Sequence, residues 1–202
     1  MVRSFFAALG WLEPMRSADQ RLFHKINQVW TSPLLDAVMP VVTDLNKHIW
    51  FMGLVLPAAA AAWIYYERER AIKILVALLA VVGAADLISY RVIKPLFHRL
   101  RPEHSGISVV LRAGAHGTYG FPSNHAVNMF AAAAFLCPLY PAMTIPLFLA
   151  AAVVSYSRVY VGAHFPLDVA AGALVGLSAG WLGGLVFKRL GILDEQGKNQ
   201  RR

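Results

Sequence analysis

Apolar runs as long as a bilayer is thick, separated by short junctions that collect charge, constrain this chain more than any other feature. From His48 to Tyr66 the sequence is almost unbroken in its apolar character, with Trp50, Trp63, Tyr65 and Tyr66 near its ends. Ala71 to about Ile93, Pro122 to about Tyr140, about Ala142 to Tyr156, and Pro166 to Val186 read the same way. About 20 apolar residues suffice to cross the hydrocarbon core as a helix, and aromatic rings favour its two interfaces. With 57% of its 202 residues hydrophobic, the chain is too apolar for an ordinary soluble domain. The expectation is an all-α, polytopic membrane helix bundle with about five to six transmembrane helices and an amphipathic N-terminal segment.

The N-terminal segment reads differently. Across residues 15–30, Leu22, Phe23, Ile26, Val29 and Trp30 alternate at helical spacing with Arg16, Asp19, Arg21 and Lys25. That pattern suits a helix lying in the membrane interface. Thr31 to Leu45 is apolar but broken by Pro33, Asp36, Pro40 and Asp44, and suits a short interfacial or re-entrant helix. Ser4 to Leu12 is too short to span, and Glu13-Pro14 follows it where a cleavable signal would carry small residues. One domain over 1–202 accommodates all of this: an interfacial segment 1–46, a transmembrane core 47–187 and a polar tail 188–202.

A formal charge of +8 accompanies this apolar chain. In a membrane protein such an excess suits anionic lipid surfaces. No basic stripe with interleaved aromatics argues for nucleic acid. The single Cys137 sits in an apolar segment and has no partner for an internal disulfide.

Ionisable groups at membrane depth are expensive and usually functional. Asp86, inside an apolar run, suits a structural pair with Arg91 or a cap within the bundle. The densest junction follows Ser157 and Arg158 and reads Val-Tyr-Val-Gly-Ala-His-Phe-Pro-Leu-Asp over residues 159–168. Pro166 suits a first helical turn, which places Asp168 in that turn and His164 just ahead of it. The carboxylate can then hold one ring nitrogen of His164 and aim the other outward as a nucleophile. The plainer alternative is a capping Asp and a snorkelling His.

Two more clusters fall on the same side of the expected bundle, opposite the Glu67–Arg70 turn. The 94–121 loop carries Lys94, His98, Arg99, Arg101, His104, Arg112 and His116. Lys94 and Arg101 suit phosphate oxygens, or alternatively lipid headgroups. Pro122-Ser123-Asn124-His125 opens a helix, whose first amides favour an anion. A Ser N-cap is the plainer reading of Ser123. Arg158 adds a third cation, and together the clusters describe a site for a tetrahedral anion with two imidazoles at hand. No tight histidine pair suggests a metal, so neither metal nor cofactor is expected.

Lys94-x6-Arg101-Pro102, Pro122-Ser123-x-His125 and Ser157-Arg158-x5-His164-x3-Asp168 resemble, in order and spacing, the three signature motifs of the type 2 phosphatidic acid phosphatase (PAP2) family. One departure stands out: Asn124 occupies a place that is usually Gly. The resemblance implies a metal-independent membrane lipid phosphatase. In it His164 attacks phosphorus, Asp168 orients His164, and His125 protonates the leaving oxygen and then activates water. Lys94, Arg101, Ser123, the Asn124 amide and Arg158 hold the phosphoryl oxygens. The substrate is then a membrane lipid phosphate or diphosphate: undecaprenyl diphosphate, placed slightly ahead because the chain is compact, phosphatidylglycerophosphate, phosphatidic acid or a lipid A phosphate. A lipid phosphotransferase and an inactive lipid-binding member are the alternatives. The resemblance also implies a multi-pass protein of the inner (cytoplasmic) membrane with its active face extracytoplasmic. Oligomeric state is not readable from the sequence.

Overall fold

The computed structural model describes residues 12–114 and 117–192. The Ser4–Leu12 stretch up to residue 11, His116 and the tail beyond residue 192 lie outside the described residues. The described chain is helical, with π-helical turns at Lys25–Val29, Phe51–Val55 and Ser89–Ile93, long loop segments over residues 98–114 and 117–123, and one bridge between Leu100 and Tyr119. Helix α1 spans Leu12–His24 and α2 spans Pro33–Thr43. α3 (Leu56–Glu67) and α4 (Glu69–Ile88) follow, then the single turn α5 (Lys94–Phe97). α6 is Asn124–Leu136, α7 Thr144–Tyr160 and α8 Pro166–Arg189.

The bundle differs from the sequence expectation in its number of membrane-length helices. Among the described residues three are long and apolar enough to cross: Glu69–Phe97, Pro141–Tyr160 and Pro166–Arg189, of 29, 20 and 24 residues. The expectation of five to six is therefore corrected. The run that begins at His48 gives a shorter apolar helix, Phe51–Glu67. Arg68, at φ +53°, ends it. The run after Pro122 gives α6, with 13 residues, or about 20 Å at 1.5 Å each. Its apolar side chains serve another purpose. Ala126, Val127, Ala131, Ala133, Ala134 and Phe135 are buried against the neighbouring helices, so their composition reflects a protein interior.

α6 is the hub, packed by α8, α7 and α4. The α8 glycines permit the closest of these approaches. A Cβ at Gly176 would stand 2.3 Å from the Val127 carbonyl oxygen, and one at Gly180 2.3 Å from that of Ala131. Only glycine lets two backbones meet at that distance, and small-residue stripes serve this purpose in membrane helices. At the far end of α6, Tyr140 donates to Glu67 at 2.7 Å, and Arg70 pairs with the same carboxylate at 2.6 Å. The Glu67–Arg70 turn therefore lies at one end of α6, and Ser123 to His125 at the other.

The N-terminal helix packs on protein as well as offering an exposed face. Leu22, Val29 and Trp30 are exposed, whereas Phe23 and Ile26 are buried with Val159, Tyr160, Val161 and Phe165. Asn27, fully buried, donates to the carbonyls of Val110 (2.9 Å) and Tyr160 (2.8 Å) and accepts from the Val110 amide (2.9 Å). A buried amide with its bonds made is a stable anchor. Here it ties the 107–112 loop to the end of α7. α2 joins the same end, because Asp36 accepts from the Tyr160 hydroxyl and from Arg112 Nε, both at 2.6 Å.

Candidate active site

The junction after α7 is built by local backbone chemistry. Gly162 adopts φ +87°, and a Cβ there would meet Val109 Cγ1 at 2.9 Å and the Val110 oxygen at 3.0 Å. Glycine is required both for the left-handed turn and for the close loop above it. The amides of Ala163 and His164 both donate to the Arg158 carbonyl, wrapping the loop over the last turn of α7. Pro166 then starts α8, and Asp168 Oδ2 accepts from the Phe165 amide at 3.0 Å. Asp168 is thus a genuine cap. His164, 2% exposed, does not snorkel.

Arg101 Nη1 lies 2.8 Å from His164 Nε2 and also donates to the Ala163 carbonyl at 2.9 Å. A guanidinium has donors only, so Nε2 accepts and a neutral ring carries its proton on Nδ1. Nδ1 faces Asp168 Oδ2 at 3.6 Å, which is beyond hydrogen-bond length, and has no hydrogen-bond partner. The expected carboxylate–imidazole bond is therefore an adjacency in this state. The carboxylate is engaged elsewhere, by the Phe165 amide and by Arg99 Nη1 at 2.7 Å. Burial pushes the His164 pKa well below the ordinary imidazole value, and Arg101, Arg158, Lys94 and His125 push it the same way. Both effects favour the neutral ring, whose Nε2 faces Arg101.

A cavity of about 460 Å³, within the range of small-ligand sites, brings together Lys94, Arg101, Asn124, His125, Arg158 and His164. Lys94 Nζ donates to the Pro122 carbonyl at 3.2 Å. Arg158, 3% exposed, donates through Nη1 to Thr43 Oγ1 at 2.6 Å. Ser123 stands at the N-cap of α6, yet its hydroxyl makes no capping bond, so the plain N-cap reading fails there. Instead the Ser123 amide donates to the Asp168 carbonyl at 3.0 Å, joining the second motif to the third. The Ser123 hydroxyl, Arg101 Nε and Arg158 Nε are buried donors without a hydrogen-bond partner.

Asp86 does not pair with Arg91. It accepts from Asn124 Nδ2 at 2.8 Å and from Asn128 Nδ2 at 3.0 Å. Asp44, Lys47, Tyr90 and Tyr119 also line the cavity and were not among the expected site residues. Arg99, seen in the sequence as one more basic loop residue, reaches Asp168 directly. Among the described residues no group of three or more His, Cys, Asp or Glu is placed to hold a metal ion. His98 and His104 are exposed.

Comparison with known proteins identifies the family. The family model described as PAP2 superfamily matches residues 70–191. A lipid A 4′-phosphatase of Bacteroides thetaiotaomicron is 34% identical over 85% of this chain and 77% of its own length. An undecaprenyl-diphosphatase of Sulfolobus acidocaldarius is 34% identical over 74% and 68%, respectively. The crystal structure of Aquifex aeolicus LpxE superposes with a TM-score of 0.62 at 27% identity, covering 81% of this chain and 93% of that one. A family model matched over more than half of the chain, with relatives at 34% identity matched over at least two thirds of their own length, shows the family: the chain belongs to the PAP2 superfamily and is a polytopic membrane hydrolase of lipid phosphates or diphosphates.

Proposed function

We propose that hydrolysis proceeds through a phosphohistidine on His164. The observation that carries this reading is the Nε2 lone pair of a buried, neutral His164, held 2.8 Å from Arg101 on a cavity that Lys94, Arg158 and His125 share. Nε2 attacks phosphorus, the bond from phosphorus to the ester oxygen breaks, and His125 gives that oxygen a proton. Burial and Arg158 lower the His125 pKa to about 4, so the bound phosphate anion has to favour the protonated ring. His125 then takes a proton from water. The water oxygen attacks phosphorus, the P–N bond breaks, and inorganic phosphate leaves with His164 neutral again. Lys94, Arg101, Arg158, the Ser123 hydroxyl and the Asn124 amide offset the charge on the phosphoryl oxygens. Positioning and charge stabilisation in a desolvated site lower the barrier. Asp168, whose Oδ2 lies 3.6 Å from Nδ1, stabilises the positive charge that develops on the ring.

The substrate reading is a phosphate ester of a lipid A-type glycolipid. Relatives named lipid A 4′-phosphatase are 34% and 30% identical over 85% and 84% of the chain, which supports it. A polyprenyl diphosphate is the second reading, supported by the undecaprenyl-diphosphatase relative at 34% identity. Phosphate release from detergent-solubilised protein, supplied with a lipid A 4′-phosphate, undecaprenyl diphosphate, phosphatidic acid and phosphatidylglycerophosphate, separates them. The highest kcat/KM on lipid A phosphate supports the first reading, and a preference for the diphosphate replaces it with the second.

The site end of α6 is assigned to the extracytoplasmic side of the inner membrane, with the Glu67–Arg70 turn cytoplasmic. Arg68, Arg70, Lys73, Lys188 and Arg189 mark the latter side, but Lys47, Lys94, Arg99, Arg101 and Arg112 make the site side basic as well, so the family resemblance carries this orientation more than charge does. A cysteine placed near residue 197 should stay unlabelled by an impermeant reagent added to intact cells, and labelling would invert the topology.

A further inference from the structure

None of the three motifs includes the N-terminal helix, yet that helix reaches Asp168 through one arginine. The Arg99 guanidinium stands between two buried carboxylates. Nη1 donates to Asp168 Oδ1 at 2.7 Å, and Nη2 makes a short contact with Asp19 Oδ2. The other oxygen of Asp19 accepts from the Leu167 amide at 2.9 Å, one residue ahead of Asp168 in the first turn of α8. The Arg99 guanidinium lies over the Phe165 ring at 4.7 Å, and Phe23 meets the same ring edge-on at 5.3 Å. Asp19 is 4% exposed and Asp168 0%. Neither Asp19 nor Arg99 lines the cavity. Any effect they have on the reaction passes through Asp168.

The charge count gives the arrangement its purpose. An isolated Arg99–Asp168 pair is neutral, and its carboxylate has little attraction left for positive charge forming on His164. With Asp19 the three groups sum to −1 (−1, +1 and −1). A buried ionic trio is also a costly way to dock a helix, since well-packed apolar groups do that with less desolvation. We propose that Asp19 and Arg99 are positioning residues for the reaction. Arg99 fixes the Asp168 carboxylate beside His164, and Asp19 draws enough of the Arg99 charge to keep Asp168 effective as an anion. The N-terminal helix thereby becomes a working part of the catalytic machinery. This inference rests on the reading of His164 as the nucleophile.

The test uses the full-length protein in detergent, with para-nitrophenyl phosphate and dioctanoyl phosphatidic acid as probes. Asp19→Asn keeps the shape and the acceptor for the Leu167 amide, but it turns an amide nitrogen toward Arg99 Nη2, so it removes the charge together with the bond to Arg99. It should lower kcat about tenfold or more with KM little changed, the scale seen for groups that act through another residue. The double variant Asp19→Asn/Arg99→Gln returns the local sum to −1 and should recover kcat relative to Asp19→Asn. A purely structural clamp predicts that kcat follows melting temperature across the three proteins, whereas the charge account predicts that kcat recovers in the double variant without recovery of melting temperature. Wild-type kcat in folded Asp19→Asn, or a double variant no better than the single one, overturns the proposal. If Asp19→Asn yields no folded protein, the double variant is compared with wild type and with Asp168→Asn. A kcat between those two supports the relay; one equal to that of wild type, which would show that neither residue is needed, or one as low as that of Asp168→Asn, overturns it. Acid-quench trapping on the wild type keeps the two ideas apart. No label on wild-type His164 removes the nucleophile reading, whereas label there with unimpaired Asp19→Asn removes the relay alone.

Discussion

The side-chain amide of Asn124 donates to Asp86 Oδ1 at 2.8 Å, across the packed faces of α6 and α4. The Ser89 hydroxyl donates to Asn124 Oδ1 at 3.2 Å, so both ends of the amide are held toward α4. This is how a side chain is accommodated at the motif position that is usually Gly, with the backbone amide still free to face an anion.

Replacing Asp86 by Leu should therefore act on stability more than on chemistry. It leaves the Asn124 and Asn128 amides without their acceptor, at a cost of about 1–3 kcal/mol for each buried group left unpaired. Thermal unfolding in detergent should show the loss, whereas Asn124→Gly should leave kcat little changed. A large kcat loss in Asn124→Gly would show that its side chain takes part in the reaction.

Gly176→Ala tests the helix interface that holds the second and third motifs together. Its Cβ would lie 2.3 Å from the Val127 oxygen and 2.9 Å from the Ala131 nitrogen, both backbone atoms that cannot swing aside. Overpacking of this kind costs about 1–3 kcal/mol or more. A lowered melting temperature, with activity falling in parallel, is expected. Unchanged stability would contradict the close approach of α8 to α6.

Much of the candidate site was legible because each motif is a local object. Pro166, Asp168 and the adjacent His164 announce a helix start within a few residues, and the structure places that start at Pro166. Arg99 and Asp19 were not legible as partners of Asp168, because the contacts close over 69 and 80 residues and nothing in a basic loop marks which arginine turns inward. The span count failed for a different reason. Apolar composition does not distinguish a side chain facing lipid from one facing protein, and Val127, Ala131 and Phe135 face protein. Asp86 was read against Arg91 because the two lie close in sequence, whereas its partners stand on another helix.

The pH dependence follows from the environment of His164. Burial, then the charges of Arg101, Arg158, Lys94 and His125, disfavour its imidazolium and lower its pKa. On the proposed role of His164, the nucleophile is lost only when pH falls through that lowered value, so the limb of kcat/KM that reports His164 should lie below the ordinary pKa of about 6.5. Arg101→Gln removes the nearest cation, which raises the His164 pKa and should move that limb to higher pH. Titration of the substrate phosphate is common to both proteins and cancels in the comparison. A limb that stays in place, or moves to lower pH, would contradict the electrostatic account.

Activity should persist in EDTA. Lys94, Arg101 and Arg158 already surround the cavity, and a divalent cation added among three fixed cations would be repelled where a metal usually offsets phosphoryl charge. Loss of activity in chelator, restored by Mg²⁺ or Zn²⁺, would require another account of charge stabilisation.

The covalent intermediate is the central claim, and acid-quench trapping of labelled phosphate followed by peptide mapping tests it most directly. Wild type should carry label on His164, and His164→Ala should carry none and turn over no ester. His125→Ala should retain some transfer from an activated aryl phosphate, whose leaving oxygen needs little protonation, and should hold its label longer because the group that activates water is gone. Label on His125 in a His164→Ala protein would reverse the two roles. Label on neither histidine in any active variant would mean direct attack by water, and the phosphohistidine mechanism would be contradicted.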